Sequence, residues 1–232
     1  MITHWLILLL IVALSISAVI RREQPAEMFP ADKFTYYLKD ILKWACLLLV
    51  IYLIDSSLYT PIDFDLLGRG ISLGDQFVSA IFSGLLPVVV LSFIPPPFGH
   101  YSRDIATQKE LMGLPVGLAP DSYKEWLVFV LFVMLGAVFE ELLFRQVSFQ
   151  VLYEALHVKG DAILLISAAL FAVGHLYQGI KGTLFSFIFG CILGKTYQYT
   201  GDLTYPILMH MINNSAACIL AFLRIYHLKK LN

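Results

Sequence analysis

Charge is scarce in this sequence. Asp, Glu, Lys and Arg together make up 14% of the 232 residues, against about 25% in globular chains. The apolar set takes 59%, where about 45–50% is usual, and mean hydropathy is +0.77. A water-soluble fold cannot hide that much apolar surface, so the chain reads as an integral membrane protein. A net charge of −1 supplies no basic field for nucleic acid and excludes that partner. Cysteine is rare as well: Cys46, Cys191 and Cys218 lie in separate apolar runs. An odd count without close spacing builds neither a disulfide framework nor a zinc knuckle, and all three are expected to pack as small buried hydrophobes. The sequence has no internal repeat, low-complexity tract, Gly-rich phosphate loop, HExxH pair, or serine or cysteine elbow.

What is present is a series of apolar runs. A helix needs about 20 mostly apolar residues to cross a bilayer. Seven stretches qualify as candidates: 3–20, 41–60, 76–94, 124–147 or beyond, 161–178, 182–199 and 203–225. The expected fold is therefore all-α, a polytopic transmembrane helix bundle of about seven spans. The first run lacks a basic leader and a small-residue cleavage site, so it is expected to stay as an anchor. With the N-terminus outside, most Lys and Arg fall on the inner side, including Arg21, Arg22, Lys33, Lys39, Lys43, Arg103, Lys109, Lys124, Lys181, Arg224, Lys229 and Lys230. Arg69, Arg145, Lys159 and Lys195 do not. That asymmetry sets the C-terminus inside.

Local signals fit these limits. Pro95-Pro96-Pro97 closes the third run. Ser122-Tyr123-Lys124-Glu125 has the form of a capping box opening the fourth. Asp161 is placed to N-cap the fifth. Gly190 and Gly194 form a GxxxG close-packing face in the sixth. Residues 1–121 hold the N-terminal spans and a cytoplasmic linker over 96–123, without a recognised motif. Residues 122–232 form a helical core.

Three places in that core carry polar groups that lipid would reject, each charged residue costing about 2.5–3.5 kcal/mol near a span centre. They are Glu140-Glu141-Leu142-Leu143-Phe144-Arg145, Phe171-Ala172-Val173-Gly174-His175, and His210-Met211-Ile212-Asn213-Asn214. Glu141 and Arg145 are four apart and share a helix face, so they can pair. Glu140 is turned about 100° from Glu141 and cannot easily share that arginine. His210 and Asn214 also share a face. Each group alone reads equally as a packing or interface residue. Together they require a common interior. If the fourth helix continues to Leu156 and turns at 157–160, Glu140 lies 18 residues before Val158 and His175 lies 17 after it. An antiparallel hairpin then brings both side chains to one depth, about 27 Å of helix from the turn. His210 and Asn214 match that depth less well.

An acid, two imidazoles and an amide suit hydrolysis. Glu140 can act as base on a water that His175 also holds. His210 and Asn214 can donate to an oxyanion as it forms. The competing mechanism is a zinc site of Glu140, His175 and His210. Two other readings are a non-catalytic membrane partner and a proton-coupled transporter, the latter without a visible inverted repeat.

In order and spacing, Glu140-Glu141-x-x-x-Arg145, Phe171-x-x-x-His175 and His210-x-x-x-Asn214 resemble the three-motif signature of the CAAX protease and bacteriocin-processing (CPBP, or Abi) family over residues 122–225. That family includes type II CAAX prenyl endopeptidases and is regarded as glutamic-type intramembrane proteases. The resemblance implies a helical core around a water-filled cavity in a bacterial cytoplasmic membrane. It implies Glu140 as the water-activating residue, His175 as second catalytic residue, and His210 with Asn214 as oxyanion contacts. Glu141 and Arg145 would support them, and Phe171 would shape the pocket. It implies no cofactor, with zinc as the lesser alternative. The partners would be the lipid bilayer and a membrane-associated protein or peptide substrate: a prenylated C-terminus, a secreted peptide or leader, or a sorting tail. Immunity or scaffold roles also occur in the family.

Overall fold

The computed structural model describes residues 2–21, 32–67, 110–111, 114–115 and 119–231. Its helices are α1 (Ile2–Arg21), α2 (Lys33–Ile54), α3 (Phe64–Leu67), α4 (Tyr123–Glu141), α5 (Ser148–Leu156), α6 (Asp161–Gly174), α7 (Gly179–Thr200) and α8 (Thr204–Leu231). Two-residue strands at Glu110–Leu111 and Leu114–Pro115 form an antiparallel ribbon; the other regular elements described are helical. The expected span over 76–94, its stop at Pro95–Pro97, residues 68–75 and most of the 96–123 linker lie outside the described residues.

Among the described residues three helical stretches are long and apolar enough to cross a membrane: Tyr123–Leu156, Leu176–Thr200 and Thr204–Tyr226. They match the expected spans beginning at 124, 182 and 203. The apolar part of α1, Ile2–Ile16, and the helix Asp161–Gly174 are shorter. Two expectations are corrected. The run at 41–60 is not one helix: its helix starts at Lys33, carries Lys39, Asp40 and Lys43, and stops at Asp55, whose carboxylate accepts the Ser57 N–H of a following 3-10 turn. The run at 161–178 ends at Gly174, because the chain leaves the helix at His175 (φ −104°, ψ 11°) and turns again at Gly179 (φ 77°).

The long helix from Tyr123 to Leu156 is opened as its sequence indicates. The Ser122 hydroxyl accepts the Glu125 N–H at 3.2 Å, and the Glu125 carboxylate accepts the Asp121 N–H at 2.8 Å. Midway, residues Leu142–Val147 wind as a π-helix. The Ser148 hydroxyl there donates to the Leu143 carbonyl at 2.8 Å. Such wide turns recur at functional sites. The helix closes at His157, which takes a left-handed conformation (φ 54°) and returns its N–H to the Leu152 and Tyr153 carbonyls. The turn then passes through Gly160, whose φ of 59° favours glycine. Gly160, not Asp161, is the N-cap of α6. The Asp161 carboxylate accepts from the Lys195 ammonium at 3.0 Å instead.

Helix α6 packs on α7, α4 packs on α8 and α2, and α1 lies against α5 and α6. The GxxxG face is the α6–α7 seam: a Cβ at Gly190 would meet Ala168 Cβ and Phe171 Cδ1 at 3.2 Å, and one at Gly194 would meet Leu164 Cγ at 3.3 Å. The main core joins Ile7, Ile11, Ile51 and Leu58 to Leu143, Val147, Phe149 and Tyr197. Gln146 ties the same elements with polar contacts. Its amide donates to the Leu58 carbonyl at 3.1 Å and accepts from the Tyr197 hydroxyl. Of the cysteines, Cys218 is buried, Cys191 half-buried and Cys46 exposed, so the expectation of burial fails for Cys46. All three are free thiols.

A charged latch closes the bundle at the start of α4. Asp121 accepts from the Lys33 ammonium and, at 2.6 Å, from the Arg224 guanidinium. Burial opposes the Asp121 charge, but these two cations outweigh it and hold the carboxyl below its ordinary value. A carboxyl lowered on folding stabilises above its unfolded value of about 3.9, and that stabilisation is lost as pH falls through the folded value. The melting temperature of the native protein should therefore fall further between about pH 6 and about pH 3 than that of Asp121→Asn. Parallel curves would contradict this.

Candidate functional site

The three motifs meet. Glu140 and Glu141 end α4, Arg145 sits in the π-helical turn, Phe171 lies in the last turn of α6, His175 follows it as C-cap, and His210 and Asn214 lie on α8. Glu140, Phe171, His175, His210 and Asn214 line one cavity of about 460 Å³. Its walls are Phe132, Val133 and Gly136 of α4, Lys181, Gly182, Phe185, Ser186 and Phe189 of α7, and Asn213 and Ala217 of α8, with Tyr177 and Gln178 on the link into α7.

The adjacent glutamates have different surroundings, as their 100° separation implies. Glu141 is 0% exposed. Its Oε1 accepts from Arg145 Nη1 at 2.9 Å and from His210 Nδ1 at 2.7 Å, while Oε2 is buried without a hydrogen-bond partner. Arg145 has two further contacts. Its Nη2 donates to the Gly190 carbonyl at 3.2 Å and its guanidinium lies 4.6 Å over the Phe171 ring. Glu140 faces the cavity with 24% of its side chain exposed, 3.6 Å from His210 Nε2.

Hydrogen-bond chemistry assigns the imidazole protons. His175 Nδ1 lies 2.8 Å from the Phe171 carbonyl, which can only accept. Nδ1 therefore carries hydrogen, and in the neutral ring Nε2 is left as the acceptor. The ring is held between Phe171 (centroids 4.4 Å apart) and Tyr177 (5.9 Å, planes 29° apart). His210 gives its Nδ1 hydrogen to Glu141, so its Nε2 bears a proton only as imidazolium. Edge-on contacts with Phe171 and Phe189 fix that ring. Asn214 Nδ2 donates to the Val133 carbonyl at 3.4 Å, and Asn213 Nδ2 to Asn214 Oδ1 at 3.4 Å.

Among the described residues no three His, Cys, Asp or Glu side chains are placed to hold one metal ion. His210 engages Glu141 through Nδ1 and turns Nε2 toward Glu140. The depth problem raised by His210 does not arise, because α8 places it against Glu141 directly. Sequence reasoning missed the aromatic and polar wall of Tyr177, Gln178, Lys181, Phe185 and Phe189. The four-residue spacing of Lys181, Phe185 and Phe189 on α7 is the signal that could have found part of it.

Comparison with known proteins agrees with the motifs. Residues 122–216 match the family model described as type II CAAX prenyl endopeptidase Rce1-like. A Staphylococcus aureus (strain USA300) protein named membrane-embedded CAAX protease MroQ is 33% identical over 110 residues, covering 44% of this chain and 43% of its own. The chain thus matches less than half the length of that relative. No solved structure matches. Over its polar helical core, then, this integral membrane chain is similar to the Rce1-like type II CAAX prenyl endopeptidases, the resemblance that its three motifs carry.

Proposed function

We propose that the protein is an intramembrane endopeptidase that hydrolyses a peptide bond of a membrane-associated protein or peptide with an activated water. One observation carries the reading: Glu140, His175, His210 and Asn214, from three separate helical segments, all line the same cavity. Glu140 takes a proton from the water as it attacks the scissile carbonyl, and the bare Nε2 of His175 accepts a hydrogen bond from the water's other O–H, which stays with the new hydroxyl. The carbonyl oxygen gains negative charge, which the amide of Asn214 and the imidazolium of His210 stabilise. The Asn214 amide carries a second N–H besides the one it gives Val133, and that one is available to the oxyanion. Glu140 then returns the proton to the leaving amine. The Glu141–Arg145 pair holds the His210 ring from behind. No step needs a metal ion. The catalytic core is the 122–232 region, and the protein sits in a bacterial cytoplasmic membrane with its C-terminus inside.

Similarity to a protein named a CAAX protease supports the peptide-bond chemistry. The test compares membrane proteomes of cells carrying the native chain and the Glu140→Ala variant at equal expression. At least one precursor should accumulate uncleaved with Glu140→Ala. Indistinguishable proteomes would count against a peptidase and favour an immunity or scaffold role.

A further inference from the structure

The cavity holds one cation that the proposed chemistry does not use. Among the described residues Lys181 is the one Lys or Arg that lines it, and it is exposed and makes no ion pair with any of them. It does not serve its helix, because a positive charge in the first turn of α7 opposes the helix dipole. Its direction is set by spacing: Lys181, Phe185 and Phe189 recur every four residues on α7, and all three face the cavity. Phe189 also marks the catalytic level, since its ring lies 5.5 Å from that of His210. Lys181 is two turns away along the same face, about 12 Å of helix. An extended peptide covers that distance in about three to four residues.

We infer that Lys181 is a specificity residue that binds a carboxylate of the peptide, three to four residues from the scissile bond. The reading rests on the cavity being a peptide site. A carboxylate is the group that an ammonium without a counter-ion among the described residues recognises on a peptide. It has two sources, a free C-terminus and an Asp or Glu side chain. The cavity's own acid, Glu140, does not reach Lys181 within ion-pair distance.

Binding tests this without relying on turnover. The full chain carrying Glu140→Gln is placed in lipid nanodiscs and titrated against fluorescein-labelled decapeptide pools of randomised uncharged residues. One pool ends in a free acid, one in an amide, and one in an amide with a single internal glutamate. The free-acid or the glutamate pool should bind about tenfold more tightly than the plain amide, the low end for a charge-assisted contact. Which of the two does so identifies the source. Adding Lys181→Gln should erase the difference, and Lys181→Arg should keep it. Equal binding of all pools, or a preference that survives Lys181→Gln, would overturn the role of Lys181 alone. No binding by any pool would overturn it together with the peptidase reading.

Discussion

Replacing Arg145 with alanine should cost about 3–5 kcal/mol of folding stability, the range for stripping one partner from a buried ion pair. The magnitude follows from what would be left behind. Glu141 is 0% exposed and its Oε2 already lacks a hydrogen bond. Only His210 Nδ1 would remain on the carboxylate, and the Gly190 carbonyl would lose its side-chain donor. Lysine should not rescue the position, since one ammonium cannot reproduce a fork that reaches Glu141 and Gly190 at once while stacking on Phe171. Adding Glu141→Gln to Arg145→Ala should recover part of the loss by removing the stranded charge. Thermal melting of the purified variants in detergent reads the effect, and a loss under about 1 kcal/mol for Arg145→Ala would contradict the pairing.

The second large effect falls on rate. His175→Ala should lower cleavage by about 100–10,000-fold, the span for losing a positioned acid–base group, with melting close to native. The side chain lies at a helix end, where its ring contributes one bond to the Phe171 carbonyl and two ring contacts. Its removal widens the cavity without leaving a buried charge. A His175→Ala protein that melts like native and cleaves within about threefold of it would sink the proposed role.

The site was legible because lipid makes its residue types expensive. Glu140, His175 and Asn214 stand out in apolar runs for that reason, and helix geometry separates Glu140 from Glu141 before any coordinates. The premise of the hairpin arithmetic is met, since α4 and its continuation reach Leu156 before turning. What escaped was set by backbone events with weak sequence marks. The π-helical turn at Leu142–Val147 depends on which carbonyl each N–H selects, and both choices fit the same hydrophobic pattern. The chain leaves α6 at His175 although the apolar run continues, so the sequence pattern suggests a span of full length where a 14-residue helix and a 3-10 turn stand. Asp161 looked like a cap by residue type, yet the positive φ of Gly160 moved the cap one residue earlier. The bond from His210 to Glu141 needed the relative depth of α4 and α8, which no local pattern fixes. It also gives His210 a second task, bracing the carboxylate pair from the cavity side.

The central claim is that Glu140 activates water in a cavity it shares with His175, His210 and Asn214. The most direct measurement is single-turnover cleavage, in liposomes, of the precursor that Glu140→Ala cells accumulate, comparing the native chain with Glu140→Gln. The variant keeps the shape and size of the side chain but loses the carboxylate. Cleavage should fall by at least about 1,000-fold, with melting unchanged and precursor still bound. Cleavage by Glu140→Gln within a few fold of native would contradict the account.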